Sequence, residues 1–215
     1  MIPALQPPAL AGMPVDDIDT PALTVDLDAF EANLETMAAA VAQGRARLRP
    51  HAKTHKCPDV ARAQMARGAI GVCCQKVGEA EAMVAGGIDN VLVTNEIVGP
   101  RKLSRLAALA RQAWIGVCAD ASSNVDAIAT AAGQAGVTLH VLVEIDVGAG
   151  RCGVGDPAAA LALAQRIADS PHLTFGGLQA YQGSAQHRRT PAERQAAIDV
   201  AIERARNTVS LRSEE

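Results

Sequence analysis

The densest chemistry in the sequence lies in one basic segment, Arg49-Pro50-His51-Ala52-Lys53-Thr54-His55-Lys56. In an extended chain, His51, Lys53 and His55 share one face. If that face lines a barrel interior, burial and the neighbouring cations both disfavour the ammonium form of Lys53, which leaves a neutral amine that can attack a carbonyl. Lys53 is therefore a candidate Schiff-base lysine, and a basic rim that faces solvent is the alternative.

A second segment, residues 144–155, follows a strongly apolar run and carries glycine at positions 148, 150, 153 and 155. Backbone amides in such glycine-rich loops can hold a phosphate group. The same composition also suits a simple flexible turn. The sequence leaves both interpretations open.

Short β-rich runs alternate with longer, alanine-rich amphipathic runs along the chain. The predicted strands are residues 23–26, 48–53, 70–75, 91–94, 115–119, 139–146 and 175–181. The predicted helices are residues 29–42, 58–66, 77–85, 101–110, 124–132, 157–168 and 191–209. Repetition of strand and helix with short connections indicates βα units and parallel strands.

Two parallel architectures fit this pattern, an open doubly wound sheet and a (β/α)8 barrel. The first strand is not followed by the GxGxxG turn of a dinucleotide-binding sheet. Instead, polar side chains follow five successive strands, among them Lys53, Gln75, Asn95, Asp146 and Gln182. Because all strand ends of a barrel open onto one mouth, this distribution predicts a (β/α)8 barrel with a single site.

The composition excludes several classes of function. The chain has 215 residues, a net charge of −3, 49% hydrophobic residues and 2% aromatic residues. This balance argues against disorder and against nucleic-acid binding, and no apolar run reaches the roughly 18–20 residues of a membrane span. The five cysteines are odd in number and scattered, which argues against disulfides and for a cytoplasmic protein. A small-molecule ligand is favoured.

Four segments closely resemble one enzyme group: residues 20–26 (TPALTVD), 49–56 (RPHAKTHK), 144–154 (EIDVGAGRCGV) and 180–183 (AYQG). The group contains D-threonine aldolase, 3-hydroxy-D-aspartate aldolase and eukaryotic-type D-serine dehydratase. It belongs with the alanine racemase-like, fold-type III pyridoxal-phosphate enzymes. The resemblance extends from about residue 20 to about residue 209, and the PHxKTHK element is its specific part.

The resemblance implies roles for particular residues. Lys53 corresponds to the lysine that holds pyridoxal phosphate as an imine, and Arg151 to the arginine that faces the phenolic oxygen of the cofactor. Tyr181 corresponds to the tyrosine near the cofactor ring, and His187 to the histidine near the substrate hydroxyl. Gln75, at a strand end on the same mouth, is assigned a contact on the cofactor side.

The resemblance also implies an organisation in two parts. Residues 1–47 form an N-terminal segment whose strand and helix lean on a C-terminal β domain, and residues 48–215 form about six of the eight strands of an alanine racemase-type barrel. The last two strands and the β domain, which carries the ligands of a divalent Mg, Mn or Zn ion, lie outside this chain. The full-length enzyme is expected to be a homodimer, and the 215-residue chain alone is expected to be inactive.

The implied reaction is retro-aldol cleavage of 3-hydroxy-D-aspartate or D-threonine to glycine plus glyoxylate or an aldehyde. The closest competitor is elimination from D-serine, which gives pyruvate and ammonia with the same cofactor and lysine. Two further alternatives remain open, a non-catalytic pyridoxal-phosphate-binding protein and a lysine-dependent aldolase without the cofactor. No metal ligand is assigned within the chain.

Overall fold

The computed structural model describes residues 7–212, and the chain separates into two compact units between Arg45 and Ala46. In the first unit, a short 3-10 helix at Val15–Asp17 precedes helix α1, Leu27–Ala42. Asp26 caps α1, because its carboxylate accepts a 2.9 Å hydrogen bond from the backbone N–H of Ala29. Among the described residues no neighbouring backbone pairs with residues 23–26, and the predicted pairing of this segment with a C-terminal β domain stays a prediction.

The second unit is built around a five-stranded parallel sheet whose strands lie in chain order. The strands are β1 (Val72–Cys74), β2 (Asn90–Glu96), β3 (Trp114–Ala119), β4 (Leu139–Glu144) and β5 (Leu173–Gln179). Val93, Val117 and Val141 lie in register on neighbouring strands and are fully buried. The central strands are apolar because helices cover one face of the sheet and the other faces the interior.

Six helices of this unit follow the strands in alternation. They are α2 (Pro58–Met65), α3 (Val77–Ala85), α4 (Pro100–Leu109), α5 (Ser122–Ala135), α6 (Pro157–Ala168) and α7 (Pro191–Arg212), and a 3-10 helix at Gly183–His187 precedes α7. Local signals explain several starts. Proline occupies the first turn of α2, α4 and α6. Before α7, Thr190 and Glu193 exchange hydrogen bonds as a capping box, with Glu193 N donating to Thr190 Oγ1 at 3.2 Å.

The sheet confirms parallel βα units, but the first predicted barrel strand, residues 48–53, is only partly formed. Backbone hydrogen bonds join Leu48, Pro50 and Ala52 to the segment of β1, around one isolated parallel bridge between His51 and Cys73. Pro50 has no N–H to continue a ladder, and the chain turns away through residues 52–55. The described part of the unit therefore has five strands rather than six, and they do not close into a barrel.

The core of the second unit is aliphatic, and its largest fully buried side chains include Met83, Leu106, Ile115 and Ile128. All five cysteines are free, and Cys74 and Cys118 are buried in this core. No helix in the described part of the chain is both long enough and apolar enough to span a bilayer.

Candidate active site

A cavity of about 200 Å³ opens at the carboxyl ends of the strands. It brings together four of the five predicted site residues, Lys53, Gln75, Arg151 and Tyr181. The other lining residues are Arg49, His51, Cys73, Thr94, Glu144 and Gln179. Parallel strands place their carboxyl ends at one edge, and this explains why residues so far apart in sequence meet here.

Lys53 lies on the turn that follows the His51 bridge, and its side chain is exposed at the cavity. The expectation that His51, Lys53 and His55 share one extended face is wrong, because residues 52–55 form a turn rather than a strand. His55 is absent from the cavity lining. The amine of Lys53 is therefore solvent-accessible rather than desolvated inside a strand array.

Arg151 is held between two side chains. Its Nη2 atom lies 3.7 Å from Oε1 of Glu144, and its guanidinium lies 5.3 Å from the centre of the Tyr181 ring. Glu144 is only 3% exposed, so the ion pair joins a buried anion to a solvent-facing cation. The arrangement presents a fixed positive charge at the cavity, beside the ring of Tyr181.

Glu144 has an unusual protonation equilibrium. Burial, together with the nearby carboxylate of Glu96, raises the pKa of Glu144 to about 7, although Arg151 acts in the opposite direction. Two carboxyl groups that share a confined space cannot both ionise without cost. The pair therefore takes up a proton near neutral pH, next to the candidate lysine.

Further donor groups extend from this pair on the side of β3. Carboxylate oxygens of Glu96 and Asp120 and the sulfur of Cys152 all lie within 4.8 Å of one another, a spacing that could hold a metal ion. Burial raises the pKa of the Cys152 thiol. Sequence reasoning missed Asp120 and Cys152, and only the position of Asp120 directly after β3 could have pointed to it.

The glycine-rich loop, residues 144–155, is closed by hydrogen bonds to the carboxylate of Asp146, which belongs to the loop. Oδ1 of Asp146 accepts hydrogen bonds from the backbone N–H groups of Gly148, at 2.9 Å, and Gly150, at 3.0 Å. These hydrogen bonds lower the pKa of Asp146. Since these amides already hold an anion from the chain, the loop is a turn that presents Arg151 rather than a phosphate cradle.

His187 and Gln75 differ in their placement. His187 ends the 3-10 helix before α7, is exposed, and is not among the cavity residues. Gln75 lines the cavity, and its backbone is held by Glu79, whose carboxylate accepts the Gln75 N–H at 2.8 Å, and by Asn95, which donates to its carbonyl at 3.2 Å. The structure therefore does not bring His187 to the other four residues.

His51 and Thr94 are cavity residues to which sequence reasoning assigned no role. His51 Nε2 lies 3.3 Å from Thr94 Oγ1, so the residue before the lysine turn is tied to β2. The available signal was the place of His51 two residues before Lys53 in the basic segment. For Thr94 the signal was its place at the end of the strand predicted at residues 91–94, where a barrel collects polar side chains.

Comparison with known proteins places this geometry in a family. The family described as "Alanine racemase, N-terminal domain" matches residues 25–212. D-threonine aldolase of Arthrobacter sp is 54% identical over 191 residues, which are 89% of this chain and 50% of that protein. 3-Hydroxy-D-aspartate aldolase of Paracoccus denitrificans (strain Pd 1222) is 46% identical over 204 residues, which are 94% of this chain and 53% of that protein.

A solved structure agrees. The crystal structure of D-threonine aldolase from Filomicrobium marinum superimposes with a TM-score of 0.93 at 50% identity and covers 96% of this chain and 56% of that one. D-threo-3-hydroxyaspartate dehydratase of Delftia sp. (strain HT23) is more distant, at 33% identity over 182 residues, 83% of this chain and 47% of that protein. The chain spans about half the length of these relatives. By sequence match and by fold, it belongs to the alanine racemase N-terminal domain family.

Proposed function

We propose that this chain forms the lysine-bearing part of a pyridoxal-phosphate-dependent carbon–carbon lyase, which cleaves D-threonine or 3-hydroxy-D-aspartate to glycine plus an aldehyde or glyoxylate. The observation that carries the proposal is the convergence of Lys53 and Arg151 on one cavity beside Tyr181. Relatives at 46–54% identity are named as aldolases of these two substrates, which supports the same reaction class here.

The side chains at the cavity fit the aldehyde and the phenolic oxygen of the proposed cofactor, pyridoxal phosphate. An accessible primary amine at Lys53 suits an aldehyde, and the guanidinium of Arg151 suits an ionised phenolic oxygen. The amides of the glycine-rich loop do not suit the phosphate, because Asp146 occupies them. When bound, pyridoxal phosphate accepts the electron pair that is released as the Cα–Cβ bond breaks.

The residues of this chain then have separable tasks. Lys53 supplies the amine that binds covalently, while Gln75 and Tyr181 border the space around it. In its ionised form, Glu144 pairs with Arg151. This ion pair keeps the guanidinium at the cavity and prevents the side chain from swinging out into solvent. Glu144, whose pKa is raised to about 7 by burial and by the carboxylate of Glu96, can hold a proton near neutral pH at the cavity.

Other features of the protein rest on the resemblance. We propose that the full-length enzyme binds a divalent cation through ligands that lie outside this chain; such an ion would lower the pKa of the substrate hydroxyl. His187 is retained as a candidate contact on the hydroxyl side of the substrate, although it lies outside the cavity of this chain. We also propose a homodimer and, since the five cysteines are free, a cytoplasmic location.

Elimination is the competing reaction, and a relative supports it at lower identity. The Delftia protein, at 33% identity, is named D-threo-3-hydroxyaspartate dehydratase. Cleavage and elimination give different products, glycine in the first case and ammonia in the second. The greater identity to the two aldolases favours cleavage.

Borohydride reduction after incubation with pyridoxal phosphate tests the role of Lys53. Peptide mass spectrometry should find the pyridoxyl group on Lys53 and should find none at this position in Lys53→Ala. Lys56→Ala is the matched control, because Lys56 lies on the same turn but points its Nζ to the Lys53 carbonyl. Preferential labelling of Lys56, Lys76 or Lys102 in the wild-type chain would contradict the assignment.

A chimera tests the reaction. The chain is joined to the second half of the Arthrobacter aldolase, and glycine and ammonia are measured with D-threonine, 3-hydroxy-D-aspartate and D-serine. Glycine release that disappears in Lys53→Ala supports the proposal. Ammonia without glycine from the active chimera would assign the elimination reaction instead.

A further inference from the structure

The turn that carries Lys53 has little support from regular secondary structure. Before it, Ala52 N donates to Cys73 O at 2.7 Å, and after it, Lys56 N donates to Ala52 O at 2.8 Å. Lys56 has a φ of +50°, which closes the turn. Lys53 itself belongs to no strand or helix. Its backbone N–H must therefore be satisfied by a side chain, and that side chain is His51.

The hydrogen bonds around His51 define its protonation state. Lys53 N donates to His51 Nδ1 at 3.2 Å, and a backbone N–H can only donate, so Nδ1 carries a lone pair. The remaining proton of a neutral ring is then on Nε2, which faces Thr94 Oγ1 at 3.3 Å. Thr94 in turn donates to the carbonyl of Cys74 at 3.4 Å. All donors in this series point in one direction, from the Lys53 turn to β1.

His55 repeats the first half of this arrangement and provides an internal comparison. Its Nδ1 accepts from the backbone N–H of Cys57 at 3.1 Å, so each histidine of the basic segment binds the amide two residues ahead. The Nε2 atom of His55, however, is buried without a hydrogen-bond partner, and His55 does not line the cavity. Cys57 is the residue that precedes α2, so His55 supports a helix start and His51 supports the lysine.

We propose that His51 is a positioning residue for Lys53: its neutral imidazole, bound to the Lys53 amide through Nδ1 and to Thr94 through Nε2, fixes the turn that presents the lysine amine to the cavity. This inference rests on the proposed role of Lys53 as the covalent lysine. If Nδ1 of His51 were protonated, its N–H and the backbone N–H of Lys53 would face each other as two donors. The hydrogen bond that fixes the turn would then be lost.

The charges that face His51 favour the neutral ring. Burial lowers the pKa of His51, and the charges of Lys53 and His55 act in the same direction, against the opposing effects of Glu79 and of a hydrogen bond to the backbone of Cys73. The other titratable groups that line the cavity with His51 are Cys73, Arg49, Glu144 and Arg151. The turn should therefore stay closed at neutral pH and open as the pH falls below about 6.5, the ordinary pKa of histidine.

Two variants of His51 separate the proposal from a general packing role. His51→Asn places Oδ1 where the imidazole has Nδ1, so it keeps an acceptor for the Lys53 amide. His51→Gln keeps a donor near Thr94 but loses that acceptor. Hydrogen exchange of the Lys53 amide in the chain without cofactor should be close to wild type in His51→Asn and about five- to tenfold faster in His51→Gln. Equal exchange in both variants would overturn the proposal.

The rate of borohydride-trapped pyridoxylation at Lys53 gives a second readout, normalised to Lys102 in the same sample. It should fall in His51→Gln and recover in His51→Asn, while His55→Gln should alter exchange at Cys57 and leave Lys53 unchanged. If Lys53 proves not to be the covalent lysine, this second readout fails but the amide exchange still tests His51. An unchanged Lys53 amide in His51→Gln refutes the positioning role even if labelling at Lys53 is normal.

Thr94 provides a test that does not alter the imidazole, should a His51 variant fail to fold. Thr94→Val removes the acceptor for Nε2–H, and Thr94→Ser retains it. Nitrogen-15 spectra of the histidine rings should show the Nε2–H tautomer for His51 in the wild type and in Thr94→Ser, and a mixture of tautomers in Thr94→Val. A protonated His51 or an Nδ1–H tautomer in the wild type at pH 7.5 would refute the assignment.

Discussion

Arg151 and Glu144 form an ion pair at the cavity in which the two partners have opposite environments. The guanidinium is 53% exposed and the carboxylate only 5%, with 3.7 Å between Nη2 and Oε1. When the exposed member is removed, the buried carboxyl group loses its cation, and Glu144, whose pKa is already about 7, can respond by taking up a proton. The two residues should therefore respond very differently to substitution.

Arg151→Ala should keep the fold and lower the free energy of unfolding by about 1–2 kcal/mol, because the buried Glu144 loses its cation and takes up a proton instead of remaining an unpaired buried charge. The loss should appear at the site, since the variant no longer presents a fixed positive charge beside Tyr181. Urea denaturation of the variant and of Arg151→Lys, which keeps the charge, measures the first effect. Failure of Arg151→Ala to yield soluble, folded protein would contradict it.

Glu144→Gln should change how stability depends on pH. The pKa of Glu144 is raised from 4.5 to about 7 in the folded chain, so between these values the folded state binds more protons than the unfolded state. By linkage, the contribution of Glu144 to stability is fully present below about pH 4.5 and is lost as the pH rises towards 7. The wild type should lose stability across this window relative to Glu144→Gln.

Urea midpoints at intervals from pH 4.5 to 8 measure this difference. Glu81→Gln is the control, because Glu81 is paired with Arg105 on the surface and its pKa is lowered rather than raised. A parallel pH dependence in the wild type and Glu144→Gln would contradict the prediction.

Gly153→Ala should destabilise the loop that carries Arg151. Gly153 has a φ of +96°, and a Cβ there would lie 2.7 Å from the carbonyl carbon of Ile145. Backbone strain and this contact together should cost about 2–4 kcal/mol. Gly155→Ala, where a Cβ meets nothing within 4 Å, should change stability by less than about 0.5 kcal/mol. Similar unfolding curves for the two variants would show that the backbone at Gly153 is not constrained.

Asp146→Ala should release the amides of the glycine-rich loop. Hydrogen exchange at Gly148 and Gly150 should accelerate about tenfold, because each loses its charged acceptor. Asp156→Ala is the matched control: Asp156 also accepts a backbone hydrogen bond, from Ala158 at 2.9 Å, but at the start of α6. It should affect Ala158 and leave the loop unchanged. Unchanged exchange in Asp146→Ala would mean that the loop is held by other contacts.

The secondary structure was largely predictable because its signals are local. Residues 77–85 and 157–168 were predicted as helices with the bounds that the structure has, since amphipathic spacing marks both, Gly86 marks the end of the first and Pro157 the start of the second. The strand predicted at residues 48–53 is only partly formed, for the opposite reason. Extended character is a local property, but pairing depends on a neighbouring backbone, and Pro50 together with the turn after His51 limits the ladder to one bridge.

The sequence by itself determined the parallel βα fold and, through the basic segment and the family resemblance, the lysine and arginine of the candidate site. Only the tertiary structure decided what surrounds them. Glu144 acquires its raised pKa because packing buries it and because β2 and β4 bring a second carboxylate, Glu96, close to it. Asp146 accepts hydrogen bonds from the amides of the glycine-rich loop and so closes it as a turn. The hydrophobic periodicity of a sequence indicates which residues of one segment are buried. The pKa of Glu144 depends instead on distances between segments, and these are established only by strand order and register.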